Sequence, residues 1–376
     1  FGPVEAALSQ SFLPALFAAD SSDLDNTRAL FALSVRQGGL GVPRPSGTAP
    51  RCFSASVEST HSLTESLLAG RQLDTQVYAV ESSRTRRDLR KGREHNEERA
   101  SSKLRKSASP ADARRMLRSK QTGAWLTALP DTLNGTELSA DEFRDSLRLR
   151  FGFNPTHLPH RCEGCGQRFT VEHAMSCKVG GMVMQRHDDV KAEWHHLCAQ
   201  ALTPSAIYDE PLIHTSRDVR AAGANGSDPA PELRGDTAAH GFWRKGTTAI
   251  FDVRITDTDG KANRGSAPEA VLKKHEKMKK DKYNALCVAR RKTFTPLVFS
   301  VDGMRGPEAA AASKRLASLL ARKWKRTYSD VCGYVRSRLS IALVRSANRC
   351  LRSDRDPIWK HPEAPWESGT GLALYQ

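Results

Sequence analysis

The chain has 376 residues, 39% of them hydrophobic, and carries 58 Lys and Arg against 42 Asp and Glu, a formal charge of +16. That length holds two or three domains with cores of their own, and the positive balance calls for a polyanionic partner, either nucleic acid or an anionic membrane surface. No run approaches the roughly 18–20 apolar residues that span a bilayer, the apolar run at 12–19 is broken by Pro14 and lacks the basic flank of a signal peptide, and eight cysteines are too sparse for a disulfide scaffold.

The chain starts at Phe1 rather than Met and is read as a piece of a longer frame. Residues 1–77 alternate short helical patterns with Gly/Pro turns such as Gly38-Gly39-Leu40-Gly41-Val42-Pro43. Residues 78–120 are dominated by charge, as in Arg84-Thr85-Arg86-Arg87-Asp88-Leu89-Arg90-Lys91, and predict an exposed helix or a disordered basic linker. Apolar periodicity returns over 121–156 as a helical segment, with Trp125, Leu126, Leu129, Phe143, Leu147, Leu149 and Phe151. A small module follows at 157–180, then a domain over 181–351 and a tail over 352–376. In that domain the patterns predict a helix at 188–202, strands at 206–213, 233–242 and 247–256, a charged helix at 268–290, a β-branched strand at 295–301, and helices at 307–326 and 328–351. The order α-β-β-β-α-β-α predicts a mixed α/β domain with a small central sheet, behind a mostly helical N-terminal half.

The module at 157–180 carries Cys162, Cys165, His173 and Cys177, a C-x2-C-x7-H-x3-C spacing. Zinc takes four thiolate or imidazole ligands in a tetrahedron, and four protein ligands leave no open position, so the expected Zn2+ is structural. Gly164 and Gly166 allow the tight turn unusual backbone angles, and His173 and Cys177 lie one helical turn apart. Phe169, Val171 and Met175 supply a small core. Unligated buried cysteines beside a surface histidine are the plain alternative, and His157 or His160 can replace the fourth ligand.

Glu210, Asp236 and Asp252 form the acidic candidates downstream. Two aspartates on adjacent strands can hold one Mg2+ through hard oxygen ligands, and such an ion activates water and neutralises charge on a scissile phosphate. Asp252 interrupts an apolar strand, where a carboxylate costs several kcal/mol unless paired or metal-bound, and Arg254 shares its face. The competing explanation is solvated turn aspartates. The next helix carries Lys273, Lys274, Lys277, Lys279, Lys280 and Lys282, with Tyr283 one turn beyond Lys279; most of these lysines are expected to meet phosphate or water. Three patterns are set aside: His187-Asp188-Asp189 lacks the surroundings of a polymerase palm, Arg234-Gly235-Asp236 mimics an adhesion tripeptide, and His195-His196 point to different sides of a helix.

Taken together, the Cys-Cys-His-Cys knuckle, Arg186-His187-Asp188, Asp209-Glu210-Pro211, Arg234-Gly235-Asp236, Asp252-Val253-Arg254 and Lys279-x3-Tyr283 resemble, in that order, the C-terminal half of reverse-transcriptase polyproteins of site-specific non-LTR retrotransposons. Gln37-Gly38-Gly39-Leu40-Gly41-Val42 resembles the segment beyond the polymerase thumb of such proteins, making 1–77 a remnant of that region with the palm itself absent. The resemblance implies a restriction-like endonuclease of the PD-(D/E)xK type. Asp236 and Asp252 would bind Mg2+; Lys279 matches a lysine moved onto the following helix, with Arg254, Tyr283 and Glu210 as further members of the site. Arg186, Lys273, Lys274, Lys277, Lys280 and Lys282 are expected to contact nucleic acid. Two positions depart from the pattern: Gly235 stands where proline is usual, and Arg254, always protonated, stands where related nucleases have lysine. The implied activity is nicking of target DNA in the nucleus to prime reverse transcription of the element's RNA. A catalytically inactive nucleic-acid-binding module and a zinc-bearing protein-interaction adaptor are the alternatives.

Overall fold

A computed structural model of the protein describes residues 1–214 and 232–355. It is mixed α/β, mainly helical with a small sheet, and divides into one unit of Phe1–Thr127 with Leu147–Phe153 and a second of Ala128–Ser146 with the chain from Asn154 onward. No helix among the described residues is long and apolar enough to cross a membrane. Beyond residue 355 the expected tail lies outside the described residues.

In the first unit, Phe17 stacks on Phe31 at 4.8 Å and Phe151 meets Phe31 edge-on at 4.8 Å, so helix Ala140–Phe151 contributes its last turn to this core. Gly38 and Gly39 are required by the turn: Gly38 has φ +90°, and a Cβ on Gly39 would sit 2.0 Å from the Leu33 carbonyl oxygen. The charge-rich stretch is a helix, Thr75–Ser107, started by Asp74, whose carboxylate accepts from the amides of Gln76 and Val77 at 3.0 Å each. It is mostly exposed, as its composition requires. Leu129 departs from the expected apolar face at 85% exposure, because the 3-10 turn holding Trp125 ends at Thr127 and the helical period is lost there.

The second unit contains helix α1 (Met182–Ala201), strands β1 (Ile207–Asp209), β2 (Leu212–His214), β3 (Leu233–Arg234), β4 (Thr237–His240) and β5 (Thr248–Thr256), helix α2 (Pro268–Ala289), strand β6 (Thr293–Ser300), and helices α3 (Pro307–Trp324) and α4 (Tyr328–Arg352). The main sheet has the order β1-β4-β5-β6; the first three strands are antiparallel, and β6 runs parallel to β5 after the crossover through α2. Two expected strands are each split. The first breaks at Glu210-Pro211, where Glu210 has φ +44°, and the second at Gly235-Asp236, so the outer halves β2 and β3 pair separately.

Alternation along β5 places Ala249, Phe251 and Val253 in the large core with Trp194 of α1, Leu316 of α3 and Leu339 of α4. Ile250 faces the other way, with Tyr283 and Cys287 of α2 and Phe294 of β6. Period two therefore aims Asp252 and Arg254 at α2, beneath a helix that is apolar at one end and charged along its middle. Near the middle of α2, Glu276 accepts from the Glu308 amide at 2.9 Å in the first turn of α3.

Candidate functional site

The knuckle is built by local hydrogen bonds. Arg161 and Arg168 form a bridge, the Cys162 amide donates to Gln167 O at 2.8 Å, and the Gly166 amide donates to Cys162 O at 2.7 Å with Gly166 at φ +72°. Gly164 is glycine for a different reason from the one expected: its φ is ordinary, and a Cβ would come within 3.0 Å of the Arg355 carbonyl oxygen. Thr170 then caps helix Val171–Ser176 by accepting from the His173 amide at 3.1 Å, which aims His173 and Cys177 back toward the two-cysteine turn. Cys165 Sγ lies 3.4 Å from His173 Nε2 and 3.9 Å from Cys177 Sγ.

The ligand atoms of Cys162, Cys165, His173 and Cys177 all fall within 4.8 Å of one another, a cluster that can hold a metal such as zinc. Sulfurs about 2.3 Å from a tetrahedral ion sit about 3.8 Å apart, so the observed spacing fits that size. Burial disfavours the Cys162 thiolate, but hydrogen bonds from His173 and the amides of Cys165 and Gly164 outweigh it and pull the thiol down to about 6. His157 and His160 lie outside the four-ligand cluster.

Arg186 is not a nucleic-acid contact. It is 3% exposed, and its guanidinium donates to Met175 O at 3.0 Å, pinning the knuckle helix to α1. Arg355 stacks over Phe169 at 5.1 Å and donates to Ala174 O, adding a second clamp.

The acidic pair comes together through strand register. The ladder of β4 with β5 ends at Thr237 opposite Phe251, which leaves Asp236 close beside Asp252. The Asp236 amide donates to Phe251 O at 2.9 Å, and Asp236 Oδ2 accepts from the Val253 amide at 2.5 Å, a bond that usually goes to a backbone carbonyl. The Asp236 carboxylate therefore lies one peptide unit from Asp252. Gly235 makes this possible: its amide donates to Pro211 O at 3.0 Å, which proline could not do, and a Cβ there would meet Ile250 Cγ2 at 2.5 Å. Gly235→Ala is expected to cost roughly 1–3 kcal/mol by overpacking a buried site. Urea midpoints check this, and an unchanged midpoint would remove the steric argument.

Asp252 is 4% exposed, and Lys279 Nζ contacts its Oδ2 at 2.5 Å. The contact is a close ion pair without a well-directed hydrogen bond, so Oδ2 is buried with charge compensation alone. Burial raises the Asp252 carboxyl above its ordinary range; Lys279 opposes the rise and the charge of Asp236 adds to it. Arg254 is half-buried on the same face and close enough to Asp252 to interact with it, while burial lowers the guanidinium.

Tyr283 is 6% exposed, packed on Phe294 at 5.2 Å, with Lys282 over its ring at 4.8 Å and Lys279 at 5.7 Å. It supports the Lys279 turn from the apolar side. Glu210 lies beside Asp236 through its amide, which donates to Asp236 O at 3.2 Å, but its carboxylate is exposed and pairs with Lys191 at 3.1 Å. Lys273, Lys274, Lys277 and Lys282 are exposed along α2, and Lys280 is committed to an ion pair with Glu308.

Two neighbours of the pair were missed by sequence reasoning. His187, set aside with its aspartates as a false polymerase motif, holds Asp236 Oδ2 through Nε2 at 3.1 Å and Asp188 through Nδ1 at 3.0 Å. Lys191, one turn along α1, bridges Asp209 and Glu210 at 3.2 and 3.1 Å. The available signal was a spacing of four on a helix; what it lacked was any indication that the strand break at 235–236 lies under that helix.

The hydrogen bond to Asp236 outweighs burial and raises His187 from 6.5 to about 9. A raised folded value means the imidazolium stabilises the fold fully below 6.5, and the contribution disappears as pH climbs through 9. With allowance for partial exposure of the ring, about 2 kcal/mol is expected to be lost across that window. Chemical unfolding at pH 6 to 10 measures it, and His187→Asn should flatten this alkaline slope.

No protein-family model matches the chain, and no curated protein is significantly similar to it.

Proposed function

We propose that the protein is the endonuclease portion of a non-LTR retrotransposon polyprotein, a restriction-like nuclease that nicks target DNA in a divalent-ion-dependent reaction so that the free 3′ end primes reverse transcription of the element's RNA. This reading places its work in the nucleus, on target DNA and element RNA. The observation that carries it is the closeness of Asp236, just before β4, to Asp252 on β5, with one cation on each carboxylate: His187 on Asp236 and Lys279 on Asp252.

A hard cation would take its oxygen ligands from this pair, displacing the side-chain cations that now sit on it. Asp252 Oδ2 is a buried carboxylate oxygen with no directed donor, and the pair offers an all-oxygen donor set of the kind Mg2+ prefers. Asp236 and Asp252 would hold the ion, which when bound supplies an activated water and charge stabilisation at phosphorus. Lys279 opposes the rise that burial imposes on the Asp252 carboxyl, and the Val253 amide and His187 together fix the orientation of Asp236. Arg254 presents a permanent cation on the same face of β5, suited to phosphate oxygens and unable to act as a base. The exposed lysines of α2 add sequence-independent phosphate attraction that weakens with salt. The knuckle, clamped to α1 and α4 by Arg186 and Arg355, would hold nucleic acid in a fixed place relative to the pair.

A second reading follows from the same ion pairs. Lys279 and His187 already neutralise both carboxylates, which suits a nucleic-acid binder that never takes up a catalytic ion. A supercoiled-plasmid nicking assay with Mg2+ separates the two: the wild type should produce open circles and Asp252→Ala should not. Equal nicking by both would eliminate the nuclease assignment, whereas salt-sensitive DNA binding with no nicking by either would favour the binder.

A further inference from the structure

The face between β5 and α2 holds one polar group that the nuclease reading does not use. Tyr283 packs with Ile250, and one turn earlier Lys279 meets Asp252. Each four-residue step toward the start of α2 covers about 6 Å, close to the roughly 6.6 Å of a two-residue step along β5. The next pair in this ladder is His275 over Arg254, and the Arg254 charge does act on the His275 ring.

His275 is 8% exposed, and neither of its ring nitrogens has a hydrogen-bond partner among the described residues. The Arg254 guanidinium likewise donates no hydrogen bond among the described residues and feels the charge of Asp252. Buried polar groups in native proteins find partners, so an orphaned imidazole beside an unsaturated guanidinium marks a place where an external group belongs. The other charged groups of the face are engaged or turned away. Lys279 is on Asp252, Glu276 is on the Glu308 amide, and Lys274 is exposed. What is left on offer is several guanidinium N–H groups and one imidazole N–H around the Arg254 charge, with the second ring nitrogen as the single acceptor. That combination suits a tetrahedral oxyanion and repels a cation.

We infer that Arg254 and His275 form a phosphate-binding subsite one step along β5 from the carboxylate pair, and that it receives a backbone phosphate of nucleic acid neighbouring the one under attack. The binding of phosphate stands on this cluster alone, while DNA as the source of that phosphate rests on the nuclease reading. A half-buried arginine backed by a rigid imidazole reads position along a strand rather than base identity.

The test uses the full, zinc-loaded chain with histidine ring nitrogens labelled and no added divalent ion. Titration with inorganic phosphate should shift the His275 ring resonances saturably. Arg254→Ala and His275→Ala should each weaken phosphate binding about tenfold or more, the scale of one lost charge-assisted hydrogen bond, while His275→Gln, which keeps a donor, should stay within about threefold. A short DNA duplex should displace the phosphate and perturb the same resonances. A silent His275 ring, or alanine variants that bind phosphate like the wild type, would overturn the subsite. Phosphate binding without displacement by the duplex would overturn its assignment to a nucleic-acid backbone. If His275→Ala does not fold, the wild-type resonances and Arg254→Ala decide. Loss of the nuclease reading, seen as equal nicking by wild type and Asp252→Ala, leaves the phosphate titration to be judged separately.

Discussion

Stripping the metal with a strong zinc chelator is expected to unfold the knuckle and lower the thermal midpoint of the unit that contains it. In this small segment the stabilising apolar burial comes from few side chains, chiefly Phe169, Ala174 and Met175, too few for a module that closes by itself. Structural zinc binding contributes roughly 10–16 kcal/mol of apparent free energy to comparable peptides. Here the loss is partly offset by the contacts that hold the segment from outside, namely Arg186 on Met175 O, Arg355 on Ala174 O, and Glu172 accepting from the Lys261 amide at 3.0 Å. Once the helix Val171–Ser176 melts, Arg186 is left with a buried charge and without its carbonyl, so the damage spreads into α1. A drop of at least about 5 °C is expected for a unit of this size, with Cys165→Ser showing much of it without chelator. Metal analysis should return one zinc per chain. A protein purified without zinc, with a thermal midpoint indifferent to chelator, would end the structural-zinc assignment.

The second large effect concerns the Lys279–Asp252 pair. Lys279→Ala strands a carboxylate that is 4% exposed, and breaking a buried pair from one side costs about 3–5 kcal/mol. The lower end applies, because the Lys279 side chain is 22% exposed. Removing both charges behaves differently: Asp252→Asn with Lys279→Met leaves no uncompensated ion, and most of the stability should return. Nicking should not return. Both variants are expected to lose at least about a hundredfold, since the proposed ion needs the Asp252 carboxylate and Lys279 is what compensates that carboxylate in its buried place. Urea midpoints combined with plasmid nicking give both columns of this cycle. Recovery of stability together with activity in the double variant would mean that the pair is only a buried strut.

The distribution of information along the chain follows from range. The knuckle was legible because its four ligands lie within sixteen residues, from Cys162 to Cys177, and local turn and cap chemistry converges them. The elements from α1 to α4 were legible for the same reason: 3.6- and 2-residue periods are local, and Asp252 stood out as a charge inside an apolar strand. Arg186 was misassigned because a cationic residue on a polar-looking helix turn gives no sign that its guanidinium is needed to hold Met175 O. The strand breaks at Glu210 and Gly235 were missed as well, since they arise from pairing with partners distant in sequence and from the close approach of Gly235 to Ile250.

Composition and spacing by themselves determined a basic, mixed α/β protein with a four-ligand metal motif and two aspartates available for a site. Only the tertiary structure decided which side chains those aspartates meet. Placing His187 on Asp236, Lys279 on Asp252 and His275 over Arg254 depends on the register between β4 and β5 and on the rotation of α1 and α2 over the sheet. A one-residue slip of β5 in that register would turn Asp252 and Arg254 to the opposite face, and what prevents the slip is burial of Ile250, Phe251 and Val253 against elements up to about a hundred residues away.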